Sequence, residues 1–292
     1  MYRRFHLQQM FGVFCVLCLL SFIPAQAQEP LEIRLPKLDV KNDPTEDYVR
    51  ELLQAIVQHS ARPYQLIKSP GRMLQARSIY EMTRENGNID ILWTMTTDDR
   101  EKKLIPIRLP IEKGLLGWRI SLITEKNKAA FSTVKRTEDL QQFTAGQGKD
   151  WPDVGILKAN QLSVLTSNAY DPLFAMLAAG RFDYFPRSVF EIWGDVKHHS
   201  EHKFIVEESF ILHYQTACYF FVTPRRPQLA EDLRLGFEKI IANGIFEHLF
   251  QKYHKASIER AKFKQRVVIN LKNPLLNPAS MALNRTELWF HP

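Results

Sequence analysis

Strand and helix patterns alternate from Leu31 to Trp93, and that order leaves few architectures open. Leu31-Glu-Ile-Arg-Leu35 alternates apolar with polar and predicts a strand stopped by Pro36. Pro44 and Thr45 open a helix with Glu46 and Asp47 in its first turn, where acidic side chains suit the helix dipole. Tyr48, Val49, Leu52, Leu53, Ile56 and Val57 then repeat at helical spacing. Tyr64 to Ile67 predicts a second strand, Ser69-Pro-Gly71 a turn, Met73 to Arg84 a second helix, and Ile89 to Trp93 a third, buried strand. A β-α-β-α-β run argues for the α/β class, a mostly parallel sheet with helices on its faces. The third strand turns polar at Thr94, Thr96, Thr97, Asp98, Asp99 and Arg100. Donors then stand at the carboxyl end of a strand, where open α/β sheets bind ligands. The same residues also read as a strand, a turn and a helix N-cap with Arg100 in solvent.

A second β-α-β unit lies between Trp118 and Phe210. Leu104 to Ile111 is broken by Pro106 and Pro110, and Leu115 to Thr124 predicts a long strand. Ser163 to Thr166 predicts a strand, Pro172 to Ala179 a helix closed by Gly180, and Phe182 to Phe185 the next strand. Thr144 to Asp153 reads as a glycine-containing loop without the spacing of a phosphate-binding loop. Leu229 to Tyr253 reads as a helix pair interrupted at Asn243-Gly244, and Val267 to Leu271 as a final strand before an extended tail. His198, His199 and His202 cluster after Gly194; with no cysteine or firm acidic partner they read as a solvated loop, and no metal is expected. No cofactor is expected either.

The amino terminus has another logic. Arg3 and Arg4 precede an apolar run from Met10 to Ile23, and Ala25-Gln-Ala27 has the small residues of a cleavage site. A membrane span needs ~20 apolar residues, so residues 1–27 read as a signal peptide cleaved after Ala27. The exported, periplasmic chain then keeps one cysteine, Cys218, and cannot form an internal disulfide. Cys218 sits in an apolar strand-like run and reads as a small core residue. The formal charge of +7 drops by two with the leader. The remaining basic residues are dispersed, or lie on a helix face from Lys252 to Arg266, which argues against a nucleic-acid partner and leaves a modest field to gather an anion.

Three stretches, in order, resemble the type II periplasmic solute-binding proteins, above all the family that binds polar amino acids for ABC transporters. Gly87-Asn-Ile-Asp90, a strand, Thr97-Asp-Asp-Arg100 and Ile107-Arg-Leu-Pro-Ile111 are similar to that family's "G-x-x-D … T-x-x-R … P-x" run. Gly180-Arg-Phe-Asp183 is like its second "G-x-x-D". Leu233 to Gly244, with Ile245 to Tyr253 behind it, looks like its terminal helices. The resemblance implies two lobes: residues 28–117 with 212–292, and residues 118–211. The implied crossings lie near Lys113 to Gly117 and near Leu212 to Gln215, with Gly114 and Gly117 able to absorb a hinge.

The resemblance also implies site residues. The arginine matching Arg100 clamps a ligand carboxylate, which suits a planar guanidinium, and Thr97 is its hydroxyl neighbour. Trp93 and Met95 stand where small hydroxyl residues are usual, and Trp93 either stacks on the ligand or fills core. The second-lobe aspartate that binds the amine is missing; Pro186-Arg187-Ser188 occupies that region. An unanswered ammonium is costly, so Arg100, Arg187 and Ser188 point toward a carboxylate-bearing solute, unless Glu191 supplies the acid. Arg77, Gln147 and Tyr184 are weaker candidates, and Asp39, Lys149 and Tyr170 fall in loops that face the same region. The function expected is a non-catalytic, monomeric solute-binding protein closing on a small anionic or polar ligand, for a membrane permease or a sensor. The alternatives are a lyase or dehydratase on the same fold, and a degenerate module acting through protein partners.

Overall fold

In this computed structural model, residues 29–38, 45–276, 281 and 283–292 are described; the leader and Asp39 lie outside them. Strand β1 (Leu31–Leu38) runs straight through Pro36, with a register shift between Leu35 and Lys37 absorbing the proline. It pairs in parallel with β2 (Tyr64–Met73), which likewise passes through Ser69-Pro-Gly71, so the expected turn is extended strand. Between them lies α1 (Glu46–Gln58), whose buried Tyr48, Val49, Leu52, Leu53 and Ile56 form the predicted apolar stripe. Helix α2 (Gln75–Thr83), β3 (Ile91–Met95), α3 (Asp98–Lys103) and β4 (Ile105–Ile107) follow.

Strands β1 and β2 form a sheet of their own, β3 and β4 belong to a three-stranded one, and the chain then crosses to a larger, seven-stranded sheet. Its elements are β5 (Trp118–Ile123), α4 (Lys128–Phe131), β6 (Thr144–Gly148), α5 (Asp153–Ala159), β7 (Ser163–Ser167), α6 (Asp171–Ala178), β8 (Tyr184–Ser188), α7 (Ile192–His198), β9 (Ile205–Val206) and β10 (Phe210–His213). It returns with β11 (Cys218–Val222), which fits between β3 and β4, and adds α8 (Pro227–Ala242), α9 (Ile245–Ala261) and β12 (Val267–Asn270). Gly244, at φ +82, makes the break between the last two helices.

Strand order in the larger sheet is β12-β10-β5-β8-β6-β7, with β9 beside β5. Strands linked through a helix, β1 with β2, β6 with β7 and β6 with β8, run parallel. Strands that the chain enters directly from a crossing, β5 and β11, run against their neighbours β8, β3 and β4. One core packs the three-stranded sheet and β1 against α1, α8 and α9. Two more lie on opposite faces of the larger sheet, with alternate residues of β8, Tyr184 and Phe185, falling in different ones.

Glycine-rich β6 is a strand rather than a loop. A Cβ on Gly146 would stand 2.2 Å from the Phe182 ring, and one on Gly148 2.6 Å from Trp151, so these glycines make room for aromatics packed onto the strand. Within residues 212–292, β12 pairs with β10 in the larger sheet, because the chain leaving α9 runs along the open edge of β10. From there residues 271–276 lead back. Asn160, just past α5, brackets Lys272 with bonds of 2.8 and 2.9 Å, and the Asp98 amide donates to the Leu275 carbonyl at 3.0 Å. The tail closes over the first crossing: Trp289 lies on Gly114 (φ +72), and the Phe290 amide donates to the Lys113 carbonyl at 2.7 Å.

Candidate functional site

A cavity of about 200 Å³ opens where ends of β2 and β3 face ends of strands in the larger sheet. Met73 to Gln75 at the end of β2 and Trp93 to Met95 of β3 form one wall; Gly148 to Asp153 at the end of β6, Ser167 to Tyr170 at the end of β7, and Arg187 of β8 form the other. These are carboxyl ends of strands, the position the sequence pointed to. Trp93 is half-buried in one wall, and Trp151 stands in the other.

Arg100 is buried beside this cavity rather than in its lining. Thr97 caps α3 by accepting from the Arg100 amide at 3.2 Å, which fixes the first turn. The guanidinium is then held by neutral acceptors. One nitrogen donates to Thr94 Oγ1 (2.6 Å) and the Met95 carbonyl (2.8 Å); the other donates to Gln75 Oε1 (2.6 Å) and to the Asp150 carbonyl of the opposite wall (3.3 Å). Burial draws its pKa down to about 10.

The far wall carries a buried charge network. Arg119 donates to the Tyr214 hydroxyl (2.7 Å) and to Glu191 (3.2 Å), and pairs with Asp153 (2.9 Å). Arg187 pairs with Asp195 (2.6 Å) and Glu191 (3.3 Å), and lies 5.2 Å from the Trp151 ring and 5.3 Å from the Tyr170 ring. Tyr170 donates to Asp195, and Tyr214 to Asp153. Burial opposes the charge on Glu191, but Arg187 and Arg119 outweigh it and hold its carboxyl below the usual range. Burial also works against both guanidinium charges; the carboxylates around them overcome it and raise both pKa values. Asp195 is raised, chiefly by burial.

Of the residues singled out from sequence, Trp93 and Arg187 line the cavity, as do Lys149 and Tyr170. Arg187, whose charge was to attract an anion, is already answered by two carboxylates. Ser188 is fully buried behind the wall, its hydroxyl donating to the Leu115 carbonyl at 3.3 Å. Gln147 is fully buried, its amide donating to the Pro186 carbonyl at 3.3 Å, and Tyr184 packs in the core with burial raising its pKa. Arg77 is exposed on α2, paired with Glu81 and lying over the Tyr80 ring. Sequence reading passed over Gln75, Arg119, Asp150, Trp151 and Asp153. Arg119 carried a usable signal, since an arginine inside an apolar strand must find a buried partner.

No protein-family model matches the chain, and no curated protein sequence does. Solved structures do. An ancestral arginine-binding protein bound to glutamine is 17% identical with a TM-score of 0.58, over 76% of this chain and 97% of the other. The VFT2 domain of BvgS from Bordetella pertussis is 14% identical with a TM-score of 0.59, over 76% and 93%. A periplasmic binding protein of Salmonella typhimurium with high arginine specificity is 13% identical with a TM-score of 0.56, over 77% and 98%. At such identities the likeness is one of architecture: the chain has the two-lobed, type II periplasmic-binding-protein-like fold.

Proposed function

We propose that this is an exported, non-catalytic solute-binding protein. It closes two lobes on a small polar solute bearing a carboxylate and serves a membrane permease or a sensor. One lobe is built around the three-stranded sheet and the other around the larger sheet, with the cavity between them. The observation that carries this reading is Arg100, a guanidinium buried beside a two-walled cavity, whose bonds among the described residues go to neutral acceptors. A solute carboxylate that displaces Gln75 Oε1 and the Asp150 carbonyl gives it the counter-charge it lacks. Trp93 and Trp151 offer apolar faces to the rest of the solute, while Glu191, already held by Arg119 and Arg187, leaves an amine without a free counter-charge there. The structural neighbours named above include proteins that bind arginine or glutamine, both of which carry a carboxylate.

Catalysis fits less well. Glu191 is held by two arginines with its pKa depressed, which makes it a poor general base near neutral pH. Calorimetric titration of the mature protein with amino acids and small carboxylic acids tests the proposal. A solute binds, and Arg100→Ala weakens it by roughly 10- to 150-fold, the worth of a charge-assisted bond. Unchanged affinity in that variant rules out the clamp. The second reading, a module that no longer takes a solute, is favoured by the bond from Arg100 to Asp150, because the protein itself occupies the carboxylate position. On that reading no solute binds at all.

A further inference from the structure

The connection between α7 and β9 holds a cluster that the cavity does not use. Helix α7 ends at His198, a 3₁₀ turn spans Ser200–His202, and Lys203, at φ +52, turns the chain toward β9. In such a turn side chains three residues apart eclipse. His199 and His202 accordingly stand one over the other, 6.4 Å apart and only 14° from parallel. Each is backed by a phenylalanine: His199 stacks on Phe174 of α6 at 3.6 Å, and His202 packs against Phe204 at 5.2 Å.

Both rings aim a nitrogen at the same oxygen. His199 Nδ1 lies 3.7 Å and His202 Nε2 3.4 Å from Glu201 Oε1, and the three donor atoms are all within 4.8 Å of one another. Among the described residues neither ring has a hydrogen-bond partner elsewhere. Donors arranged tetrahedrally about a zinc ion at its usual bond lengths stand roughly 3.4 Å apart. The acidic partner that the histidine cluster lacks in a linear reading is Glu201, brought between the two rings by the turn.

We propose that His199, Glu201 and His202 form a binding site for one divalent transition-metal ion, with zinc the best match. Two imidazoles and one carboxylate suit zinc, nickel or copper, whereas calcium and magnesium call for an all-oxygen shell. Three protein donors leave one position for solvent. None of the three residues lines the cavity between the sheets, so the site is separate from the solute cleft. His198 is not part of it; its Nδ1 is bonded to the Gly194 carbonyl at 2.8 Å.

The test is zinc titration of chelator-treated mature protein in competition with a chromophoric chelator, with bound metal counted by mass spectrometry. One zinc per chain is expected, and His198→Ala binds it as the wild type does. His202→Ala and Glu201→Ala keep the far-ultraviolet dichroism of the wild type. They lose more affinity than the roughly 10- to 100-fold that removal of an outer-shell partner costs. Cobalt(II) gives the visible absorption of a tetrahedral site in the wild type and not in those two variants. Absence of stoichiometric zinc in the wild type, or wild-type affinity in both His202→Ala and Glu201→Ala, overturns the proposal.

Discussion

Which side chains meet in this molecule depends on single strand positions. Side chains alternate along β8, so a shift of one residue moves a group from the cavity wall to the core. That is why Arg187 lines the cavity while its neighbour Ser188 and the nearby Tyr184 are buried away from it. Their chemistry was legible in the sequence, but the facing was not. Arg119 and Asp153 were hidden for a different reason: they neutralise each other across 34 residues, and neither is suggestive alone. One buried group gives a pH signature. His254 sits against Tyr48, Phe190 and Phe250, and burial lowers its pKa to about 3 from 6.5. Below pH 6.5 the unfolded chain takes up a proton that the folded chain refuses until about pH 3, so this group's share of stability is lost as pH falls through that window. His254→Phe removes that slope. Its urea midpoint falls less than the wild type's between neutral pH and about pH 4, and an equal fall in both proteins contradicts the assignment.

At the level of elements, the helical and β-α-β patterns carried through from sequence to structure, and the disagreements concentrate at proline and glycine. Pro36 and Ser69-Pro-Gly71 suggested ends of strands, yet β1 and β2 continue past both because the prolines fall in a register irregularity, where no ladder bond is asked of them. Gly146 and Gly148 suggested a loop, yet β6 needs them to admit Phe182 and Trp151. A linear pattern shows a missing side chain but not the ring that fills its place. Gly146→Ala is therefore expected to cost about 1–3 kcal/mol through overpacking. In chemical denaturation the double variant Gly146→Ala/Phe182→Leu loses less than the sum of the two single changes. Strict additivity means the two side chains do not compete for one space.

For the whole molecule, the stretches where the resemblance implies two crossings lie side by side: the Gly117 carbonyl accepts from the Tyr214 amide at 3.2 Å. The third connection, residues 271–276, had no signature, because it runs into the proline- and asparagine-rich stretch from Asn273 that looks like any tail. It is anchored at one end to Asn160 and at the other to Asp98, and Pro274 and Leu275 line a second pocket with Arg100 and Asp150, a placement suited to restrain how far the two halves part. Cutting it with a protease site inserted between Lys272 and Pro274 is expected to enlarge the radius of gyration in X-ray scattering. An unchanged radius shows that the segment does not limit opening. The bond between Arg100 and the Asp150 carbonyl has a consequence for time as well as for affinity. On the proposed clamp, an arginine that already bridges the walls must let go before a solute reaches it, so exchange would be gated by the protein's own opening. In stopped-flow mixing the observed association rate then rises with solute concentration only until it meets the opening rate, and levels off there.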